Sequence, residues 1–304
     1  MTSAEGDARV VVVGEALIDI VQSADGRRTE HVGGSPANVA FGLARLGRTV
    51  DFYSSIGTDQ RGDAIASQLS RAGVRIAGES RVAPPTSTAL ATLAADGSAQ
   101  YEFDIRWALP TVSLPGAAVL HTGSIALFLE PGAEQVMRLI EAATSIVTLD
   151  PNIRPALIGE RDHAVRVFER AAQASHVVKL SDEDARWLYP EDSEDAALRR
   201  VADLGPAMVV LTRGAEGTRI LGSDALIEIP APKTTVVDTI GAGDSFMASL
   251  IDSICRLGTV ELDEQQLVQI GTDAAAVAAI TVSRAGAMPP TRAELLAWRG
   301  DVRA

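Results

Sequence analysis

The pattern begins with Arg9-Val10-Val11-Val12-Val13-Gly14, a β-branched run closed by glycine. A run that is apolar at every position predicts a strand buried on both faces. Residues 17–28 mix polar and apolar positions, with Ala24-Asp25-Gly26 as a turn between two extended pieces. After Gly33-Gly34-Ser35-Pro36, the apolar residues Val39, Ala40, Leu43 and Leu46 recur at helical spacing, which predicts a helix over 37–46 closed by Gly47. A strand is expected over 50–56 and a helix over 60–72. Residues 88–94 and 100–105 read as extended, joined by a hairpin turn at Ala95-Asp96-Gly97-Ser98. Tyr101, Phe103 and Ile105 alternate with Glu102 and Asp104, so one face of this hairpin is apolar. Together with 17–32 it predicts a small sheet standing off the main body.

From residue 118 onward strands and helices alternate. Strands fall at 118–121, 146–149, 177–179 and 208–211, and helices at 132–143, 162–174, 182–189 and 195–204. This alternation implies a parallel sheet covered by helices on both faces. Residues 218–221 and 226–229 read as an antiparallel pair around Gly222-Ser223-Asp224, followed by long helices over 241–257 and 264–283. The absence of repeats and long linkers points to a single domain over 9–300, with 1–8 flexible.

Composition narrows the function. The chain has 304 residues, 46% apolar and 22% charged, which is a folding composition. Its net charge of −13 argues against nucleic acid or an anionic membrane as partner, so a bound anion needs a dedicated local site. The single cysteine, Cys255, excludes a disulfide framework and a four-cysteine zinc site. No apolar run approaches the ~18 residues of a membrane span. Residues 1–8 lack the apolar stretch of a signal peptide, and a cytoplasmic protein is expected.

The most informative stretch is Asp238-Thr239-Ile240-Gly241-Ala242-Gly243-Asp244, between an extended segment at 234–237 and a strong helix. Glycines at a helix start let the backbone approach an anion whose charge the free amides and the helix dipole attract. A carboxylate inside such an anion hole repels phosphate, and makes sense as a proton acceptor. A capped helix start is the plain structural alternative.

Thr212-Arg213-Gly214-Ala215-Glu216-Gly217, after a strand, reads either as a phosphate or ribose cradle or as an ordinary connection. Gly33-Gly34-Ser35-Pro36-Ala37-Asn38 suits a polyhydroxyl ligand, or simply opens a helix. Asp19 and Asp150-Pro151-Asn152-Ile153-Arg154 lie at strand ends, where α/β sheets bind ligands. In Lys179-Leu180-Ser181-Asp182-Glu183-Asp184 the carboxylates suit magnesium through water, and helix capping accounts equally for Ser181 and Asp184. Residues 42–49 nearly match a Walker A loop, but Arg48 replaces its lysine and the segment lies in a helical pattern. The dinucleotide fingerprint is absent, and His31, His121, His163 and His176 lack metal-ligand spacing.

Together these residues resemble the ribokinase-like (PfkB) family of carbohydrate kinases. Residues 238–244 match its C-terminal signature and Gly33-Gly34 through Asn38 its N-terminal one, in the right order. The resemblance implies an α/β fold, a three-layer α/β/α core with a mostly parallel sheet and a small β-sheet lid drawn from 17–32 and 86–109. It implies Asp244 as catalytic base, with Gly241, Ala242 and Gly243 as the anion hole. Sugar contacts fall to Asp19, Gly33, Gly34 and Asn38. ATP falls to Thr212, Gly214 and Gly217, with Lys179 and Ser181 close by. The family's N-x-x-E motif reads Ser181-Asp182-Glu183-Asp184, which departs from it at both ends and leaves Asp184 as the candidate for Mg2+ through water. Asp238 and the carbonyl of Ile240 match ligands of a monovalent cation such as K+, with 285–288 supplying others.

Within the family, Gly14 to Asp19 and Asp150 to Arg154, including Asn152, look most like fructokinases and also resemble 2-keto-3-deoxygluconate kinases. For an acid sugar, Arg106 and Arg154 are the candidate carboxylate contacts. Other ribokinase-like sugar or nucleoside kinases are further alternatives. The different-class alternative is a non-catalytic sugar-binding protein, against which Asp244 and the intact 241–243 loop speak. The partners implied are a small sugar and ATP, with neither nucleic acid nor membrane, and a homodimer formed through the lid.

Overall fold

The computed structural model describes residues 8–23, 25–83, 85–93, 99–112, 114–223 and 225–302. The expected turn at 95–98 and residues 1–7 of the expected flexible start lie outside the described residues. In chain order the elements are β1 (Val10–Val13), β2 (Leu17–Gln22), β3 (Arg28–Gly33), α1 (Ser35–Arg45), β4 (Val50–Tyr53), β5 (Ile56–Gly57), α2 (Gln60–Arg71), β6 (Arg75–Ile76), β7 (Arg81–Val82), β8 (Thr88–Leu93), β9 (Ala99–Asp104), β10 (Val119–Gly123) and α3 (Gly132–Glu141). They continue with β11 (Ile146–Asp150), α4 (Pro155–Ile158), α5 (Arg161–Gln173), β12 (Val177–Ser181), α6 (Asp182–Leu188), α7 (Glu194–Ala202), β13 (Met208–Thr212), β14 (Thr218–Leu221), β15 (Leu226–Ile229), α8 (Ala242–Leu257), α9 (Glu264–Val282) and α10 (Arg292–Val302).

The valine run of β1 is buried on both sides because β1 lies inside the main sheet, whose order is β15-β14-β13-β12-β11-β10-β1-β4-β6. Every pairing from β13 through to β6 is parallel, and β14 and β15 add an antiparallel edge. Val10 and Val12 join the core under α1, α8 and α9. Val11 and Val13 join the opposite core, under α3, α5, α6 and α7. These are the two outer layers of an α/β/α sandwich. The chain starts in the middle of the sheet, fills one side through β4 and β6, then crosses to β10. The crevice of an open α/β sheet lies at such a reversal, beyond the carboxyl ends of β1 and β10.

A second sheet, β3-β2-β8-β9, rises directly after β1. Ile18 and Ile20 on one face are buried with Val32 and Leu90 in the core. The opposite face carries Asp19 beside Ala89 and Phe103, and Val21 beside Ala91 and Tyr101. Tyr101 is 63% exposed there and stacks on Phe103.

Helices α1 and α8 run parallel in close contact. Asn38 of α1 donates to Asp244 of α8 at 2.8 Å. A Cβ on Gly42 would lie 2.9 Å from that of Ala248. Just beyond α1, Arg48 donates to the buried Asp252 of α8 at 2.6 Å, and Arg292 of α10 does the same. The Walker-like segment is therefore a helix and its exit turn, with Arg48 committed to an ion pair.

Three local expectations are corrected. The strand at 50–56 is two pieces, β4 and β5, in different sheets. Residues 234–237 form no strand, because no neighbouring strand lies alongside them. Val237 N bonds to Val282 O at 2.8 Å, and Val236 and Val237 are both 60% exposed. Helix α10 was not expected, although Thr291 and Glu294 form reciprocal capping bonds at its start.

Candidate active site

At the start of α8 the chain turns through Gly241, whose φ is +75°. A Cβ there would come within 2.6 Å of Ala287, so both conformation and space call for glycine. In the turn that follows, the amide of Ala242 bonds to Thr239 O at 3.3 Å. The amides of Gly243 and Asp244 take no hydrogen bond among the described residues. Two free donors at the positive end of a 16-residue helix are a binding place for an anion.

Asp244 is buried beside these donors. Ser35 Oγ donates to its Oδ1 at 2.6 Å and Asn38 Nδ2 to its Oδ2 at 2.8 Å. Burial pushes its carboxyl above the usual range, partly offset by those two bonds. Ser35 is a site residue that the sequence reading missed. Its signal was its place between Gly34 and Pro36 at a helix start, where it reads as a cap.

Asp19 reaches the same region from the second sheet. A Cβ on Gly33 would lie 2.0 Å from Asp19 Oδ2, so Gly33 makes room for that carboxylate. Burial raises the Asp19 carboxyl, Arg154 and His31 oppose this, and the Asp244 charge adds to it. Asp19 thus lies within electrostatic reach of Arg154, His31 and Asp244. Asn152 holds a left-handed backbone, φ +36°, beside Arg154. Arg106 stands apart: its side chain is 62% exposed and its nearest carboxylate is Asp104, at 3.7 Å.

Polar side chains line the sheet beneath the helix start. Lys179 is buried and donates to Asp150 Oδ2 at 2.7 Å, while Asp150 Oδ1 is buried without a partner. The Lys179 ammonium lies near Gly243, and its strand pairs with β13, which leads into the 212–217 loop. His121 bonds to Thr148 Oγ1 at 3.0 Å, and burial pushes its imidazole down to about 3, so it is neutral.

Ser181 and Asp184 form the capping box of α6. Asp184 Oδ2 accepts from Ser181 N at 2.8 Å, and its Oδ1 from Ile153 N at 2.7 Å. Thr212 sits beside Ser181 at the carboxyl end of β13, and 214–216 form a short turn. Gly217 is required by the fold, since a Cβ would meet Ile229 O at 2.1 Å. Asp238 ties two loops together, accepting from Ile240 N at 3.0 Å and from Gly286 N at 2.9 Å. Around them Val236, Val237, Ile240 and Met288 are exposed apolar side chains.

Free amides at a helix start beside a pinned, buried carboxylate, at the carboxyl edge of a parallel α/β/α sheet, fit a phosphotransferase site. The family model described as pfkB family carbohydrate kinase matches residues 7–294, and the chain belongs to that family. It is a sugar kinase. The chain is 34% identical over 303 residues to the fructokinase of Escherichia coli, covering 95% of this chain and 98% of that one. A fructokinase from Xylella fastidiosa with bound ATP superposes with a TM-score of 0.86, at 26% identity and over 98% and 100% of the two chains. The fold is also that of a Vibrio cholerae fructokinase with fructose, ADP and calcium, with a TM-score of 0.83 at 24% identity over 96% and 99% of the chains.

Glu15, at the end of β1, is a further residue of the crevice. It accepts from Ala126 N at 3.3 Å, and burial pushes its carboxyl from 4.5 up to about 7. A raised folded-state value means that its stabilising contribution is complete below about 4.5 and is lost as pH rises through about 7. Glu15→Gln is expected to flatten the decline in stability over that interval, measured by urea denaturation at several pH values. An unchanged slope would show that Glu15 is not held protonated.

Proposed function

We propose that this kinase transfers the γ-phosphoryl group of ATP to a primary hydroxyl of fructose. The observation that carries the chemistry is the carboxylate of Asp244, pinned by Ser35 and Asn38 beside the free amides of α8. The sugar oxygen attacks the γ-phosphorus, the bond to the bridging oxygen of ADP breaks, and the hydroxyl proton passes to Asp244. Its raised carboxyl is a better proton acceptor than an ordinary aspartate. The helix start stabilises charge on the phosphoryl group. Asp19, Gly33, Gly34, Asn38 and Asn152 line the polyol end. Thr212, Gly214 and Gly217 face the nucleotide, with Ser181 beside them, and the exposed Val236, Val237, Ile240 and Met288 offer an apolar surface for a flat base.

Magnesium fits this site. The unpartnered buried Asp150 Oδ1 is an acceptor that a hydrated cation satisfies. Asp184, whose two oxygens each already hold an amide, is left to act through water. When bound, the ion neutralises charge on the β- and γ-phosphates. For potassium the ligands are Asp238, the carbonyl of Ile240 and the 285–288 loop. An ATP-consuming reaction suits the cytoplasm, and no helix among the described residues is long and apolar enough to cross a membrane. A second substrate reading, a keto-deoxy acid, is favoured by the Arg154 guanidinium. It donates one N–H to Ile153 O at 3.1 Å, forms no carboxylate ion pair among the described residues, and lowers the Asp19 carboxyl.

Four outcomes are expected. Sugar-dependent ADP release should be fastest with fructose in a panel of ketohexoses, pentoses, nucleosides and keto-deoxy acids. Faster turnover of a keto-deoxy acid, abolished by Arg154→Ala, would transfer the assignment to the acid sugar. In the same assay Asp244→Asn should lower kcat by roughly 10²–10⁴-fold while the melting temperature holds. A variant keeping more than about a tenth of the activity would contradict the base role.

Potassium should raise the rate above that in tetramethylammonium at equal ionic strength, and equal rates would remove the cation site. Lastly, the exposed face carrying Val21, Ala91, Phe103 and Tyr101 suits a second copy of the chain. Sedimentation should give a dimer that Tyr101→Glu dissociates, and a strict monomer at high concentration would rule this out.

A further inference from the structure

Lysine is scarce in this chain: of 27 basic residues only Lys179 and Lys233 are lysines. Arginine serves in nearly every ion pair, from Arg48 and Arg292 on Asp252 to Arg219 on Glu228. Lys179 is the exception. It is also the only basic residue that is wholly buried among the described residues. A guanidinium is a wide, planar fork suited to gripping a carboxylate with two bonds, whereas an ammonium is a compact charge with three donors pointing in different directions. A lysine kept at this one position suggests that the site uses the second geometry.

The surroundings indicate what the spare donors are for. One N–H of Lys179 goes to Asp150 Oδ2 at 2.7 Å, and the other two have no partner among the described residues. The ammonium lies 3.3 Å from where a Cβ on Gly243 would stand, and so lines the turn that carries the free amides of Gly243 and Asp244. A buried ammonium with two idle donors is an expensive arrangement unless something arrives to use them. The carboxylates of Asp150, Asp184 and Asp244 lie around it. The same three carboxylates would repel a polyanion, and no arginine is buried with them among the described residues.

Building on the kinase reading above, we propose that Lys179 is the fixed cation of the anion hole. It donates to the phosphoryl group during transfer and does not serve mainly to bind ATP. Asp150 fixes the ammonium at the floor of the hole, so its position costs no rearrangement at the moment of reaction. Gly243 has no side chain in the line between that ammonium and the phosphoryl group.

Lys179→Met keeps the stem and removes the charge. It should lower kcat by roughly 10²–10³-fold, the loss typical of one such donor, with sugar KM and ADP affinity within about threefold of the parent. The second readout is calorimetric titration with ADP, magnesium and aluminium fluoride, a mimic of the phosphoryl group in transit. The parent enzyme should bind this mixture more tightly than ADP alone, and Lys179→Met should lose that gain. If the variant keeps the gain, or loses ADP affinity in step with kcat, the proposal is overturned. Should the single variant not fold, Lys179→Met with Asp150→Asn restores local neutrality and is compared with Asp150→Asn alone by the same two readouts. The titration needs no sugar, so failure of the parent to turn over fructose would count against the substrate assignment and leave this result readable.

Discussion

The site depends on two parallel helices being held side by side. Parallel helices set like ends of their dipoles together, which is unfavourable unless something is bound at each end. Here Asn38 meets Asp244 at the amino ends, Gly42 meets Ala248 in the middle, and Arg48 meets Asp252 further along. The amino ends of both α1 and α8 therefore face one crevice, and their positive potentials add where the proposed reaction brings the phosphoryl group. At the other end the unfavourable carbonyls face arginines: Arg45 in the last turn of α1, Arg256 in the last turn of α8 and Arg48 just beyond α1. The Gly42 contact permits this, since a side chain there would separate the helices and remove Asn38 from Asp244.

The sheet provides the second half of the design. Because β10 to β13 are parallel and in register, Gly123, Asp150, Ser181 and Thr212 come to the same edge. His121, Thr148, Asp150 and Lys179 form a polar strip within an otherwise apolar layer. Burying such groups is unfavourable, and each is matched by a partner or left facing the place where substrates bind. The neutral His121, held by Thr148, is a spacer in this strip and not an acid or base.

Much of this was legible along the chain. Buried valine runs and helical spacing place most of β1 to β15, and the glycines before Asp244 mark the anion hole, because that feature is made by consecutive backbone. What was not legible depends on pairing at a distance. Ser35 reads as a helix cap until α8 is laid against α1, 209 positions on. The partner of Lys179 is Asp150, 29 positions earlier on the neighbouring strand, and no local pattern announces that pairing. The β-branched residues 234–237 carry strand propensity without a strand to pair with. Asp184 satisfies both a capping pattern and a metal motif, and only its two amide bonds reveal how fully the cap uses it.

The join between the small sheet and the main body is unusually short. Strand β3 ends at Gly33 and α1 begins at Ser35, so a single residue, Gly34 at φ +101°, separates the sheet that carries Asp19 from the helix that pins Asp244. Such a junction works as a pivot without slack. Any tilt of β3 is delivered to Ser35 and Asn38 within one peptide unit, while the far end of α1 is anchored through Arg48. The geometry of the base is therefore mechanically slaved to the posture of the sheet above it. On the proposed role of Asp244 as base, a tilt of this sheet would misalign the carboxylate, and water entering the crevice would meet a poorly set acceptor, a structural brake on futile ATP hydrolysis.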